Sequence, residues 1–358
     1  MLSDQALHCS RRPDIAGFTL IELMLSLTIG MMVVITIGYV YLGASRTFRA
    51  MDASSRMQEN ARFSIERISY DLRMAGFAGC SHTTIANVLN NPSAWQYNLF
   101  GQPLVGYESG VSNFPSGIAP LRGDAFSVLR ANNAKEYIVD THNSPSAQFQ
   151  LTADHDIKQG EILVVTDCSH AAVFQMSNVN NNNTIKTVNH NTGGTLVPGN
   201  CTKGFGLPVD CSNPNGTPYI FPAGSRLFRL NAATYYVRNN NNNEPSLFRQ
   251  TVSGDEEVVE GVEELQVLYG VDTTATADGT ADQYVTANQV TVVAPGANNE
   301  EKWKRVLSLR LNLLMVSRNG ENVTTAPQTY TYNGMITTPG DRKMRKVFIT
   351  TIAIRNRL

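Results

Sequence analysis

From Phe18 to Ser45 the chain is almost wholly apolar, with Leu20, Ile21, Leu23, Met24, Leu25, Met31, Met32, Val33, Val34 and Ile35 among its residues, and its sole Asp, Glu, Lys, Arg or His is Glu22. A helix rises about 1.5 Å per residue and a bilayer's hydrocarbon core is about 30 Å thick, so roughly 20 such residues suffice to span it. This run exceeds that length. No proline lies between Pro13 and Pro92, so nothing of that kind stops the helix at the membrane surface. A carboxylate inside an apolar helix is costly even near its end, which makes a functional partner for Glu22 the default expectation.

The segment before this run, MLSDQALHCSRRPDIAG (residues 1–17), is short and polar and carries Arg11 and Arg12. An ordinary secretory signal places its apolar stretch before the cleavage site; here any cleavage must precede it. Cys9 has no apolar run upstream, which sets aside a lipoprotein. Arginines before the span and a mixed-charge segment after it predict that the leader stays cytoplasmic and the body crosses the membrane.

Beyond Ser45, Phe48, Met51, Ala61, Ile65, Ile68, Leu72 and Ala75 recur mostly at three- and four-residue steps, while Arg49, Asp52, Arg56, Glu59, Arg62, Glu66, Arg67 and Arg73 fill the other faces. The spacing predicts an amphipathic helix over residues 46–76, its apolar stripe against a sheet, its charges solvated, and Gly76 with Gly79 as its stop. One helix from about Phe18 to Ala75 would run roughly 87 Å.

After residue 76 the chain reads as a β-rich head over residues 77–358, with little helix. Strands are expected at Glu161 to Asp167, Arg226 to Leu230, Thr234 to Arg238, Val258 to Tyr269, Val306 to Ser317 and Lys346 to Arg355. Polar segments near 85–120, 180–225 and 271–302 read as loops, and the tracts Asn180 to Asn183 and Asn239 to Asn243 as loop tips. The fold class is therefore α+β: a long helix, half membrane-spanning (18–45) and half amphipathic (46–76), on a large β-rich head.

The five cysteines are Cys9, Cys80, Cys168, Cys201 and Cys211. The first lies in the segment expected to be removed. The other four allow three pairings in an oxidising compartment. Short loop closure favours Cys201 with Cys211, which leaves Cys80 with Cys168.

Lys plus Arg total 29 against 30 Asp plus Glu, so there is no net basic field for nucleic acid. The basic run Arg342, Lys343, Arg345, Lys346 reads as a solvated turn before the last strand. The six histidines, at 8, 82, 142, 155, 170 and 190, lack metal-site spacing, and no G-x-S-x-G or Walker motif is present. Asp154, His155 and Asp156 form a polar cluster without an evident pocket. Asp272, Asp278 and Asp282 in VDTTATADGTAD are calcium candidates, although the segment lacks EF-hand spacing. No cofactor or catalytic residue is indicated.

The string GFTLIELMLSLTIG, Gly17 to Gly30, closely resembles the class III leader of type IV pilins and type II secretion pseudopilins. The resemblance implies that a prepilin peptidase cuts between Gly17 and Phe18 and methylates the new amino terminus of Phe18. It assigns Glu22 to pairing with the amino terminus of a neighbouring subunit, which fixes register during assembly. Two features depart from the family pattern. Ile15 and Ala16, not a basic residue, precede the glycine, and Gly38 and Tyr39 stand where many major pilins carry a proline.

Further stretches, QENARFSIERISYDLRMAGFAGC (Gln58 to Cys80), VVTDCSHAAVFQM (Val164 to Met176), LQVLYGVD (Leu265 to Asp272), WKRVLSLRLNLLM (Trp303 to Met315) and FITTIAIRNRL (Phe348 to Leu358), resemble the PilW type of minor pilin. The resemblance implies a non-enzymatic subunit that primes assembly from the inner membrane, with its head periplasmic, and then sits near the pilus tip. Its implied partners are other minor pilins, the major pilin, a PilY-type tip adhesin, the prepilin peptidase and the inner-membrane assembly platform. The alternatives are a minor pseudopilin of a type II secretion system and a ligand-binding tip adhesin.

Overall fold

The computed structural model describes residues 17, 19–80, 84–110, 114–115, 118, 120, 122–178, 186–321 and 323–355. Helix α1 runs Leu20–Arg73. Its residues through Asp52 belong to one compact unit, and those from Ala53 onward belong to a second unit with the rest of the chain. In the first unit the apolar side chains are uncovered, and the most apolar stretch has none of its residues buried. By length and composition this helix can cross a membrane.

In the second unit the same helix has one buried stripe, formed by Ala53, Met57, Ala61, Ser64, Ile68, Asp71 and Leu72. These recur at three- and four-residue steps, the period of one helix face. Ala61, Ile68 and Leu72 belong to the stripe expected from the sequence, whereas Phe48 and Met51 are exposed. Small residues, Ala53, Ala61 and Ser64, carry much of the contact, and an apolarity count undervalues them. The helix stops just before Gly76, whose φ of 76° suits glycine and whose amide donates to the Leu129 carbonyl.

The head is mostly antiparallel sheet. In chain order its first elements are β1 (Thr84–Asn87), β2 (Leu104–Tyr107), β3 (Ala125–Asn143), β4 (Gln148–Leu151), β5 (Ile162–Thr166), β6 (His170–Gln175), β7 (Thr187–Asn189), β8 (Arg226–Asn239), β9 (Pro245–Thr251) and β10 (Gly254–Glu260). Among the described residues they form a ten-stranded sheet with the path β1-β6-β5-β8-β3-β4-β7. β2 also pairs with β3, β9 with β8, and β10 with β9. The chain continues with β11 (Val262–Val271), β12 (Gln283–Val285), α2 (Ala287–Val293), α3 (Asn299–Lys304), β13 (Val306–Val316), β14 (Tyr330–Tyr332), β15 (Met335–Thr337) and β16 (Arg345–Ala353). Here the order is β12-β11-β13-β16, and β14 and β15 form a separate hairpin. On β13, Leu309, Leu311, Leu313 and Met315 enter the same core as Met57, Ile68 and Leu72 of α1. Ser308, Arg310 and Asn312 alternate with them at the two-residue period of a strand, and Ser308, Asn312 and Leu314 on that second face are buried as well.

Several elements differ from the sequence expectation. The run Val258 to Tyr269 is two strands in two sheets, because Gly261 between them turns the chain at φ 84° against the Val316 carbonyl. Arg226 to Leu230 and Thr234 to Arg238 are one strand, since β3 pairs straight through Leu230, Asn231 and Ala232. β3 itself, with Asn132, Asn133, Ala134 and Lys135 in its middle, lacks strand composition there and bulges between Asn132 and Tyr137. Residues 85–120 contain most of β1 and all of β2, 180–225 contain β7, and 271–302 contain β12, α2 and the start of α3, which is capped by Asn298, whose side chain accepts from the Glu301 amide. Asn239 to Asn243 makes the turn between β8 and β9, while residues 180–183 lie outside the described residues.

The helix is locked to the large sheet by Asp71. Its carboxylate accepts from Arg130 Nε on β3 (2.9 Å), Arg249 Nε on β9 (3.1 Å) and the Tyr235 hydroxyl on β8 (2.7 Å). All four side chains are buried. Burial pushes the Asp71 pKa up, but the Arg130 and Arg249 charges and the hydrogen bonds outweigh it and hold the carboxyl below its ordinary value. Two disulfides are present: Cys80 to Cys168, which ties the segment after α1 to the β5–β6 turn, and Cys201 to Cys211, with Cα separations of 5.1 and 5.0 Å.

Asp71→Asn leaves the buried Arg130 guanidinium without its counter-charge and Arg249 with only Glu256 at 3.4 Å, and should reduce unfolding stability by about 3 kcal/mol or more in denaturant titration. The wild-type contribution of Asp71 should be complete above about pH 4, the ordinary carboxyl range. It should fade as pH falls through the lower native value, and a loss below 1 kcal/mol at pH 7 would contradict a locking role. Non-reducing peptide mapping should recover Cys80 linked to Cys168 and Cys201 linked to Cys211; a Cys80 to Cys201 peptide would contradict this pairing.

Candidate functional site

At the start of α1, Thr19 and Glu22 hold one another. The Thr19 amide and Oγ1 each donate to Glu22 Oε2 at 3.0 Å, and the Glu22 amide donates to Thr19 Oγ1 at 3.3 Å. This is a capping box, T-x-x-E, in which two amides left open at a helix start are satisfied reciprocally. The spacing was readable in the sequence, but the apolar setting of Glu22 drew attention to its charge instead. The cap fixes the carboxylate within one helical turn of Thr19, and Glu22 Oε1 has no hydrogen-bond partner among the described residues. Gly17 is exposed; Phe18 and residues 1–16 lie outside the described residues.

Farther along, the hydroxyls of Ser26, Thr28, Thr36 and Thr47 donate to the carbonyls of Leu23, Leu25, Met32 and Gly43 on the same helix. Their polar atoms are thus satisfied without solvent, which suits an apolar surrounding. The helix continues unbroken through Gly30 and Gly38.

The other candidate residues are held in local structure. Asp272 accepts from the Thr274 amide and hydroxyl, the Asp278 amide and Arg305 Nη1; Asp282 accepts from Thr273, and Asp278 from the Thr280 amide. These carboxylates shape a loop around an arginine. Among the described residues there is no cluster of three or more His, Cys, Asp or Glu that could hold a metal. Asp154, His155 and Asp156 do not act together. His155 is buried against the Thr187 carbonyl and the Ile157 amide, while Asp156 binds Lys135, Tyr137 and Arg229.

The basic run is the expected solvated turn only in part: Arg342 is exposed, whereas Arg345 and Lys346 are drawn into the fold. Arg345 is buried in ion pairs with Glu263 (2.6 Å) and Asp341 (2.7 Å), and Lys346 donates to Ser54 on α1 at 2.7 Å. Of the carboxylates that recruit Arg345, Asp341 is four residues away, whereas Glu263 lies 82 residues away on the second sheet, outside the reach of a local charge pattern.

A histidine pair in the head escaped the sequence reading. His142 Nε2 and His190 Nε2 lie 3.2 Å apart, and the Phe221 amide donates to His142 Nδ1 at 3.2 Å. That amide makes Nδ1 an acceptor, so His142 donates through Nε2 to His190. His190 is fully buried against Phe149, Phe174 and Phe205. Burial lowers the His142 pKa to about 4 and that of His190 well below its ordinary value.

The unfolded chain takes up these protons near pH 6.5, whereas the native pair resists them. Stability should therefore be full above pH 6.5 and fall toward pH 4, by on the order of 2 kcal/mol at pH 5, allowing for the part-exposed His142. Thermal melts at pH 7 and pH 5 check this; a His142→Gln variant should have the shallower pH slope.

Residues 12–38, which hold the Gly17 junction and the capping box, match the prokaryotic N-terminal methylation motif. Residues 234–356, from the second half of β8 through β16, match the family described as type IV pilus-assembly protein W. Neither match reaches residues 39–233, and no curated protein or solved structure matches the chain. The matched families are structural components of pili, and the motif with its apolar helix fits a membrane-anchored pilin. Together the two matches, one toward each end of the chain, support a PilW-type, prepilin-like minor pilin.

Proposed function

We propose that the chain is a non-enzymatic minor pilin that helps to prime type IV pilus assembly and comes to sit near the filament tip, where it supports twitching motility and adhesion. In this reading the prepilin peptidase cuts after Gly17 and methylates Phe18. The Phe18 to Ser45 segment holds the subunit in the inner membrane, with the head periplasmic. On assembly, burial of that segment among homologous helices replaces lipid contact, so packing and charge pairing must carry specificity. Its partners are other minor pilins, the major pilin, a PilY-type tip adhesin and the inner-membrane assembly platform.

The observation that carries the reading is the combination on the first part of α1, up to Ser45: a long uncovered apolar surface and a single carboxylate, Glu22, whose direction is set by Thr19. Once Oε2 is engaged in the cap, Oε1 is the atom that accepts from the amino terminus of a neighbouring subunit. An ion pair sequestered from water is sensitive to loss of either member, so it sets register more than it adds stability.

Two substitutions separate cap from charge. Glu22→Gln keeps an acceptor for Thr19 but removes the charge; Glu22→Ala removes both. Both should leave cleavage intact and reduce surface pili by on the order of tenfold, the effect of losing about 1.4 kcal/mol from subunit docking. Wild-type piliation in Glu22→Gln would overturn the pairing role and leave only the cap. A deletion scored in parallel for surface pili and for protein secretion tests the filament assignment: loss of secretion with normal pili would instead indicate a pseudopilin.

A further inference from the structure

The middle of the ten-stranded sheet contains a gap. β5 pairs with β8 only as far as Leu163 opposite Arg229, and β9 ends at Thr251 opposite Ala233. Leu230, Asn231 and Ala232 pair with β3 on one side and, among the described residues, have no strand on the other. At about 3.3 Å per residue the opening between Arg229 and Ala233 is roughly 13 Å along the strand. An unpaired stretch of edge is a template for another chain.

This gap is the floor of a groove of about 990 Å³. Its lining carries Arg67, Arg130, Lys158, Arg229 and Arg249 against one carboxylate, Glu161. Most of these charges are already committed. Arg229 binds Glu161 at 2.7 Å and Asp156 at 3.0 Å, and Arg130 and Arg249 share Asp71. Arg249 also reaches Glu256 at 3.4 Å and donates to Asn231 Oδ1 at 3.0 Å. Arg67 on α1 and Lys158 ahead of β5 make no ion pair among the described residues, so the unbalanced charge of the groove is positive. Leu230, Ile162 and Val252 supply apolar surface between the cations, and Val252 is 63% exposed.

We infer that this groove binds a short, extended, acidic segment of a partner protein, which pairs its backbone with the open edge at Leu230 to Ala232 and places carboxylates on Arg67 and Lys158. Strand addition of this kind takes affinity from main-chain hydrogen bonds and specificity from alternate side chains. A peptide fits the site better than a nucleic acid does, because the floor offers backbone amide and carbonyl groups in strand spacing, which a phosphodiester chain cannot pair. The groove lies wholly within the second unit, from Ala53 onward, and is independent of the Glu22 role, so either can fail without the other.

Fluorescence anisotropy tests it, with the full-length mature chain in nonionic detergent and three labelled probes: the peptide Asp-Val-Asp-Val-Asp, its Lys counterpart, and a backbone N-methylated copy of the acidic peptide. The acidic peptide should bind about tenfold or more tighter than each of the others, and more weakly as salt rises. Arg67→Glu with Lys158→Glu should abolish that preference without changing the melting temperature; Lys158→Glu alone, on an exposed loop, serves if the double variant does not fold. Equal binding of the acidic and basic peptides, equal binding of the N-methylated copy, or unchanged affinity in the variants would overturn the inference. So would tighter, Lys158-dependent binding of a single-stranded oligothymidylate, which would reassign the groove to nucleic acid.

Discussion

The Asp71 carboxylate joins one helix to three strands. It accepts from Arg130, Arg249 and Tyr235, residues of β3, β9 and β8, and each of these lies in a hydrogen-bonded register with the next strand. Charges taken out of water are tolerated only when their partners are in place together. The helix therefore docks at one height and one rotation, and the stacked pair of Phe126 and Tyr235 beneath it (5.2 Å) is held by the same registration. The groove follows from this anchor. Asp71 draws Arg130 and Arg249 inward, Arg249 turns toward Asn231, and Arg130 lies over the Tyr70 ring at 4.9 Å. Arg130 and Arg249 thus border the gap in the sheet with their charges already paired, and Arg67 and Lys158 account for its excess positive charge.

The two halves of α1 meet opposite physical demands with one backbone pattern. Within the head the helix turns small and apolar residues toward the sheet, and its buried polar groups, Ser64 and Asp71, are satisfied by a helix carbonyl and by the arginines. In the amino-terminal half, through Leu42, every face is apolar, and the Ser26, Thr28 and Thr36 hydroxyls bond back to the helix itself. A helix that satisfies all its own hydrogen bonds can exchange lipid for protein without leaving a polar group unpaired. Glu22 is capped through one oxygen only, and that asymmetry distinguishes it from the serine and threonine hydroxyls nearby.

A second core, away from α1, is built around aromatic rings. Phe149, Phe174, Phe205 and Phe221 surround the two histidines, and the Cys201 to Cys211 loop lies in the segment that contributes Phe205. Uncharged imidazoles behave there as aromatic side chains with one hydrogen bond to share, and that state is favoured only while protons are scarce.

The amino-terminal run, its single acid, the T-x-x-E spacing and the three- to four-residue stripe of the amphipathic half were written in consecutive residues. Helix formation and membrane compatibility depend on neighbours within a turn or two, so the sequence alone determined them. Strands with clear alternation, such as Val306 to Val316, were legible for the same reason. What the sequence could not express were relations between distant residues. Asp71 meets partners 59, 164 and 178 positions away, and nothing local distinguishes it from the solvated charges around it. β3 crosses a stretch of Asn, Ala and Lys because β8 pairs alongside it, Arg345 leaves solvent because Glu263 waits across the sheet, and the gap at Leu230 to Ala232 exists only where two other strands end. Tertiary structure decided these, because a buried charge, a strand of poor propensity or an open edge takes its free energy from whatever the folded chain places beside it.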